Sequence, residues 1–332
     1  MSNTRRRFLQ SSAALAAGLS GGARAIEAQA AAQGAGQAAA ALQPASGLLV
    51  PKMKFFGAEV SRVVLGVNPF YGYAHYNNNL ANSMREWYTP DRVCAVMHQS
   101  TRFGINAFNY VHLDRGPQDW ARFQAEGGKM HLIVQVTAGV DSEMLVKTLK
   151  PLALQRQGEV VDTAWHNGQM ETVKEWCKKA RDLGVVVGVG SHIPEALAYI
   201  EEKGWDVDFY AGCVYNRRRT PDEIRQVLHG EIIEMPNELY LQSDPARMYK
   251  VFGQTKKPCF AFKILAAGRL SGGGIEQAFR TAFASIKQND GVFVGVFPKF
   301  KDELQENAAI VQKILGKGLT ATPASAGTGL AT

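Results

Sequence analysis

The chain has 332 residues, 46% of them hydrophobic, with 37 basic against 30 acidic side chains. That length and apolar content suit one large α/β core and do not require two independent domains. The first 25 residues carry four arginines and no acid, so beyond them the formal charge falls from +7 to +3, and a nucleic-acid partner loses the basic surface it would need.

The amino terminus reads Thr4-Arg5-Arg6-Arg7-Phe8-Leu9-Gln10, then a mildly apolar stretch over 11–19, then Ala23-Arg24-Ala25. This order resembles a twin-arginine export signal ending in a small-x-small cleavage site. The resemblance implies passage through the twin-arginine export machinery, removal of residues 1–25, and a periplasmic or extracellular mature protein. The apolar stretch is too short and too rich in Ala and Gly to span a bilayer, and no other segment reaches that length, so no permanent membrane span is expected. Residues 26–50 are mostly Ala, Gln and Gly and cannot bury a core; they read as a disordered linker, and 318–332 as a disordered tail.

Between these ends, over 51–317, short β-branched runs alternate with amphipathic segments eight times, the sequence form of a (β/α)₈ barrel. A hairpin is predicted over 53–61, turning at Gly57. The predicted strands cover 63–67, 107–111, 132–137, 160–165, 185–189, 209–215, 259–265 and 292–297. Helix starts are marked by Thr89-Pro90-Asp91, Asp141-Ser142-Glu143, Thr220-Pro221-Asp222-Glu223 and Lys301-Asp302-Glu303. A helix over 171–182 stops at Gly184. A doubly wound sheet uses the same alternation, but no GxGxxG follows the first strand and eight units suit closure better. The four cysteines, Cys94, Cys177, Cys213 and Cys259, show no CxxC or zinc-finger spacing and are expected to be buried free thiols.

Several landmarks fall in an order that resembles the aldo-keto reductases. They are Gly57-x-x-Val60-Ser61-Arg62-Val63-Val64-Leu65-Gly66, Gly104-Ile105-Asn106-Ala107-Phe108, Gly188-Val189-Gly190-Ser191, Val214-Tyr215-Asn216, Leu265-Ala266-Ala267-Gly268-Arg269-Leu270-Ser271-Gly272, and Glu306-Asn307. The resemblance implies a barrel plugged by its hairpin and NADP(H)-linked carbonyl chemistry using Asp, Tyr, Lys and His. It also implies cofactor contacts at Asn216, Phe262, Lys299 and Asn307, with Lys299 holding the adenosine 2′-phosphate.

The catalytic pattern departs from that family. Asn109 stands where the Asp should be and cannot ionise. Tyr110 adjoins it instead of following a few residues later, and Gln135 or a neighbour replaces the Lys. His166 is the match to the strand-four His. At the expected barrel mouth, His75, His112, His166 and His192 gather, and Lys263 lies in a strand too apolar to carry a lysine without reason. Its alternative placement is outward, with the ammonium reaching water between helices.

Three readings follow. One is an exported NADP(H)-linked oxidoreductase acting on a small carbonyl or sugar-like substrate, with His166 orienting it. Another is a lyase, isomerase or hydrolase using His166, His192 and Lys263, with or without a divalent metal held by histidines. The last is a non-catalytic barrel binding a small polar ligand through Asn68, Asn109, Gln135, Asn167 and Asn216, with Tyr71, Tyr73 and Trp165 stacking on it.

Overall fold

The computed structural model describes residues 48–229 and 238–316. The expected leader, nearly all of the linker, and the tail lie outside the described residues. An antiparallel hairpin comes first, β1 (Lys52–Phe55) and β2 (Ala58–Ser61), with Gly57 at φ +82° closing the predicted turn. Eight parallel strands follow: β3 (Val63–Gly66), β4 (Ala107–Val111), β5 (His131–Val136), β6 (Ala153–Arg156), β7 (Val186–Ser191), β8 (Phe209–Cys213), β9 (Cys259–Phe262) and β10 (Gly291–Val294). They close in chain order into one barrel, with β10 pairing β3. The predicted (β/α)₈ architecture and its hairpin are therefore present.

The helices between them are α1 (Asn78–Trp87), α2 (Pro90–Arg102), α3 (Gly116–Ala125), α4 (Ser142–Leu149), α5 (Gly158–His166), α6 (Met170–Asp182), α7 (Pro194–Glu202), α8 (Pro221–Leu228), α9 (Asp244–Gln254), α10 (Gly273–Ser285) and α11 (Glu303–Leu315). The expected caps are made: Thr89 accepts from Arg92 N–H, Asp141 from Glu143 N–H and Asp302 from Gln305 N–H. Thr220 and Glu223 form a reciprocal capping box. None of the described helices is long and apolar enough to cross a membrane. All four cysteines are buried free thiols, as expected.

Strand four is the place where sequence and structure part. Residues 160–165 lie in α5, not in a strand, and β6 is formed by Ala153–Arg156. The Val160-Val161 pair looks extended, but Gly158, Val161 and Asp162 are buried at the i, i+3, i+4 spacing of a helix. The true strand is four residues long and ends in Gln155-Arg156, so its apolar signal is brief.

Two packed shells result. Outside, the helices cover the barrel in one continuous apolar cluster. Inside, Val64, Ala107, Ile133, Ala153, Phe209 and Phe260 fill the lower barrel, and the hairpin closes it from below. Phe55 of β1 meets Phe209 and Phe260 edge to face, each with ring centroids 5.3 Å away. With the lower half filled by these described side chains, the barrel's cavity lies at the carboxyl ends of its strands.

Candidate active site

A cavity of about 530 Å³ occupies that open end. Its floor is the next inward-facing layer above the apolar fill, where β4, β5 and β6 contribute Asn109, Gln135 and Gln155. Gln135 Nε2 donates to Asn109 Oδ1 at 2.8 Å, and Asn109 Nδ2 lies 3.4 Å from both Gln155 Oε1 and Ile133 O. The facing positions are small: a Cβ on Gly190 would stand 2.5 Å from Gln155 Nε2, and one on Gly66 would stand 2.8 Å from Gly295 N. Glycine there keeps the space above the floor free and lets the amides lie in line.

On one wall stands His192, just past β7. Its Nδ1 is 2.6 Å from Asp162 Oδ2, while Asp162 Oδ1 accepts from Ser191 Oγ at 2.6 Å and from His192 N–H at 3.0 Å. Asp162 is fully buried; burial would raise its pKa, but His192 and these hydrogen bonds outweigh that and hold it below the ordinary value. Burial pulls His192 down to about 4, against the opposing pull of Asp162. The imidazole is thus neutral near pH 7, with its Nδ1–H given to Asp162 and Nε2 turned toward Arg217 Nη1 at 3.3 Å.

Lys263 follows β9 directly and lines the same cavity. The inward placement is the one realised: its ammonium stands 5.5 Å from the Phe262 ring centroid and has neither a hydrogen bond nor an ion pair among the described residues. Burial lowers its pKa to about 8, the largest opposing influence being the Cys213 thiol. The backbone is committed to this placement, since Lys263 sits at φ +58° in the left-handed region, and Ala266 and Ala267 follow at +50° and +53°. Such non-glycine conformations cost about 1–3 kcal/mol each and cluster where a side chain must be aimed.

Arg217, past β8, carries the other cation of the wall. Its Nη1 donates to Glu159 Oε1 at 2.9 Å and its Nη2 to Glu238 Oε1 at 2.5 Å. Glu238 also accepts from His75 Nδ1 at 2.8 Å, and His75 Nε2 faces Asn68 Nδ2 at 3.2 Å. Burial, aided by the Lys263 charge, lowers His75 to about 4. Arg269 stacks on Tyr240 at 3.9 Å and donates to the His75 carbonyl, so the loops after β3, β8 and β9 are tied together over the mouth.

Of the residues expected here, Asn109, His192, Lys263, Phe262 and Asn307 line the cavity. His166 does not. It ends α5 on the exposed rim, with Nε2 2.9 Å from the Arg218 carbonyl, because the strand expected to carry it is a helix. Asn167 is exposed beside it and Trp165 packs on Tyr199, so neither reaches the mouth. Asn216 is buried behind the wall, its N–H bonded to Asp244 and its Oδ1 accepting from Arg218 N–H. Lys299 is exposed, and its Nζ donates to Ser83 Oγ at 3.0 Å on the outer side of α1. The histidines disperse to separate partners, His112 to Tyr110, His75 to Glu238 and His192 to Asp162. Among the described residues no three His, Cys, Asp or Glu side chains group as metal ligands.

Sequence reasoning missed Gln155, Asp162, Glu159 and Arg217 as site residues. The helix start at Asp141 and the Leu149-Lys150-Pro151 stop leave room for a strand straight afterwards, which was the available signal for Gln155. The Arg217-Arg218-Arg219 run at a strand end was the signal for Arg217.

No protein-family model matches the chain, and no curated protein matches it. Among solved structures, similar ones include a Pseudomonas aeruginosa protein provisionally assigned to the aldo-keto reductases, with 14% identity, TM-score 0.49, and 82% of this chain and 97% of that one covered. A truncated 3-deoxy-D-arabino-heptulosonate 7-phosphate synthase from Thermotoga maritima shows 12% identity and TM-score 0.47 over 80% and 91% of the two chains. The glycerol dehydrogenase of Gluconobacter oxydans shows 12% identity and TM-score 0.43 over 82% and 98%. These likenesses are too distant to carry activity from any of the three; the barrel rests on its own strand pairing.

Proposed function

We propose that the chain is a small-molecule enzyme that acts on a carbonyl compound through the Lys263 amine, in the manner of an imine-forming lyase or isomerase. The observation that carries this reading is a partly buried lysine that lines the cavity, has no hydrogen bond or ion pair among the described residues, and shares that cavity with a neutral histidine fixed by a buried carboxylate. An uncharged Nζ attacks the carbonyl carbon, forming the C–N bond while the carbonyl π pair moves to oxygen and takes a proton. The carbinolamine then expels that oxygen as water and leaves C=N. His192, with Nδ1–H held by Asp162, lines the same cavity, and its Nε2, once released from Arg217 Nη1, is the group we assign to accept and return those protons.

Reductive trapping tests this. The protein is incubated at neutral pH with dihydroxyacetone or glyceraldehyde and cyanoborohydride, then mapped by peptide mass. Lys263 is expected to be modified at least about tenfold faster than any surface lysine, because about a tenth of its amine is uncharged at pH 7 while a surface lysine is almost wholly protonated. Labelling spread evenly over surface lysines would defeat the proposal.

A second reading keeps the nicotinamide chemistry of the aldo-keto reductases, and one observation favours it. The cavity lining includes Phe262, the loop after β9 and Asn307 in α11, segments to which the family resemblance gives cofactor contacts. The residues fit that cofactor only in part. At the end where the family resemblance puts a 2′-phosphate, Glu303 and Glu306 line the cavity while Lys299 faces Ser83 outside it. An adenosine without the phosphate suits this lining better than NADP(H). In addition, Asn109, Gln135 and Gln155 stand on β4, β5 and β6 where the resemblance puts the Asp, Lys and His, and no Tyr follows Asn109 at the family's spacing, so the family's proton donor is missing. Fluorescence titration with NADH and NADPH tests this reading, and no saturation up to millimolar nucleotide would end it.

Export belongs to the same proposal, on the strength of the Arg5-Arg6-Arg7-Phe8-Leu9 segment. Replacing Arg5 and Arg6 by Lys should leave the protein in the cytoplasmic fraction, and equal export of the double variant would contradict it.

A further inference from the structure

We infer that the Asn109–Gln135–Gln155 amide row is a recognition site for adjacent hydroxyl groups of an uncharged polyol or sugar-like compound, and that it selects against phosphorylated ones. The inference deepens the carbonyl-enzyme reading by naming its substrate class, but it stands on different residues.

The row is directional. Gln135 donates to Asn109 and Asn109 donates to Gln155, leaving the Gln155 amide N–H groups at one end and the Gln135 carbonyl oxygen at the other without a partner among the described residues. Turning all three amides over would exchange the ends but still leave one donor and one acceptor. Gln155 is only 2% exposed and lines the cavity, so the partner of its free amide donor comes from the cavity itself. A hydroxyl both donates and accepts, and two neighbouring hydroxyls can bridge the two ends. A carboxylate or phosphate can only accept, and would set negative charge against the Gln135 oxygen.

The walls point the same way. The cationic side chains lining the cavity are Lys263 and Arg217, and both guanidinium Nη groups of Arg217 are taken by Glu159 and Glu238. Against them stand the carboxylates of Glu159, Glu303 and Glu306. Arg217 keeps only a buried Nε without a hydrogen bond, so among the described lining residues a phosphate ester would meet Lys263 as the one uncommitted, accessible cation against three carboxylates, and no guanidinium fork free to grip it. Phe262 and Tyr73 supply apolar faces on which the C–H side of a sugar can lie.

The test uses ligands that cannot form an imine, so that it reads the amide row and not Lys263. Sorbitol, xylitol and sorbitol 6-phosphate are titrated calorimetrically into the purified protein and into Gln135→Glu and Asn109→Asp variants whose folding is checked by circular dichroism. The neutral polyols are expected to bind saturably, at least about tenfold more tightly than the phosphate ester, and to lose about tenfold in either variant. Absence of saturable polyol binding by the wild-type protein, or tighter binding of the phosphate ester, would overturn the inference without needing either variant. If polyols bind while Lys263 resists trapping, the lysine chemistry fails and the amide site stands.

Discussion

Lys263 sits where its charge is least welcome, and the cost is measurable. Its pKa near 8, against about 10.4 for a free lysine, means that the folded state binds fewer protons than the unfolded one between those values. Stability therefore rises as pH goes from 8 to about 10.4, and at pH 7 the charged ammonium costs on the order of 2–3 kcal/mol. Lys263→Met should accordingly raise stability at pH 7 by a similar amount and flatten the rise above pH 8, as read from urea unfolding. A destabilised Lys263→Met protein would show that the ammonium is paired in solution. Asp162 presents the opposite case, because it accepts three hydrogen bonds while fully buried. Asp162→Ala leaves His192 and Ser191 without their acceptor and should cost about 3 kcal/mol or more.

At the scale of elements, the hairpin and the glycines of the mouth do opposite work. The hairpin fills space: Phe55 is 1% exposed and wedged against Phe209 and Phe260, so Phe55→Ala should cost about 3–5 kcal/mol in denaturant titration while leaving ligand binding intact. Gly190 preserves space, and Gly190→Ala should press on Gln155 and weaken polyol binding with a smaller loss of stability. Seven of the eight barrel strands were legible because their β-branched or aromatic runs stand out from the polar segments around them. The eighth was not. Ala153–Arg156 is a four-residue strand without a β-branched or aromatic residue, and the more persuasive valines two turns later belong to α5. That single error moved His166 into the site and left Gln155 and Asp162 out of it. Lys263 and His192 were legible because one is a charge in an apolar strand and the other follows a well-defined strand end. The Arg217 ion pairs were not, since their partners come from α5 and from the segment before α9, far away in sequence.

For the whole molecule, the barrel packs its lower half with the hairpin and holds a cavity lined by charged side chains in its upper half. That division predicts acid sensitivity. His75 and His192 are both lowered to about 4, so the folded state binds fewer protons than the unfolded state between pH 4 and 6.5. The histidine contribution to stability should be complete above about pH 6.5 and be lost as pH drops toward 4, with a gentler loss in a His75→Gln variant, as followed by the urea midpoint. The measurement that bears most directly on Lys263 as the reactive amine is its titration by competitive acetylation across pH 6–11, with peptide mass mapping to resolve each lysine. A Lys263 pKa near 8, with surface lysines near 10.4, is the expected result. A Lys263 that titrates with the surface lysines, or resists labelling at every pH, would contradict the central claim.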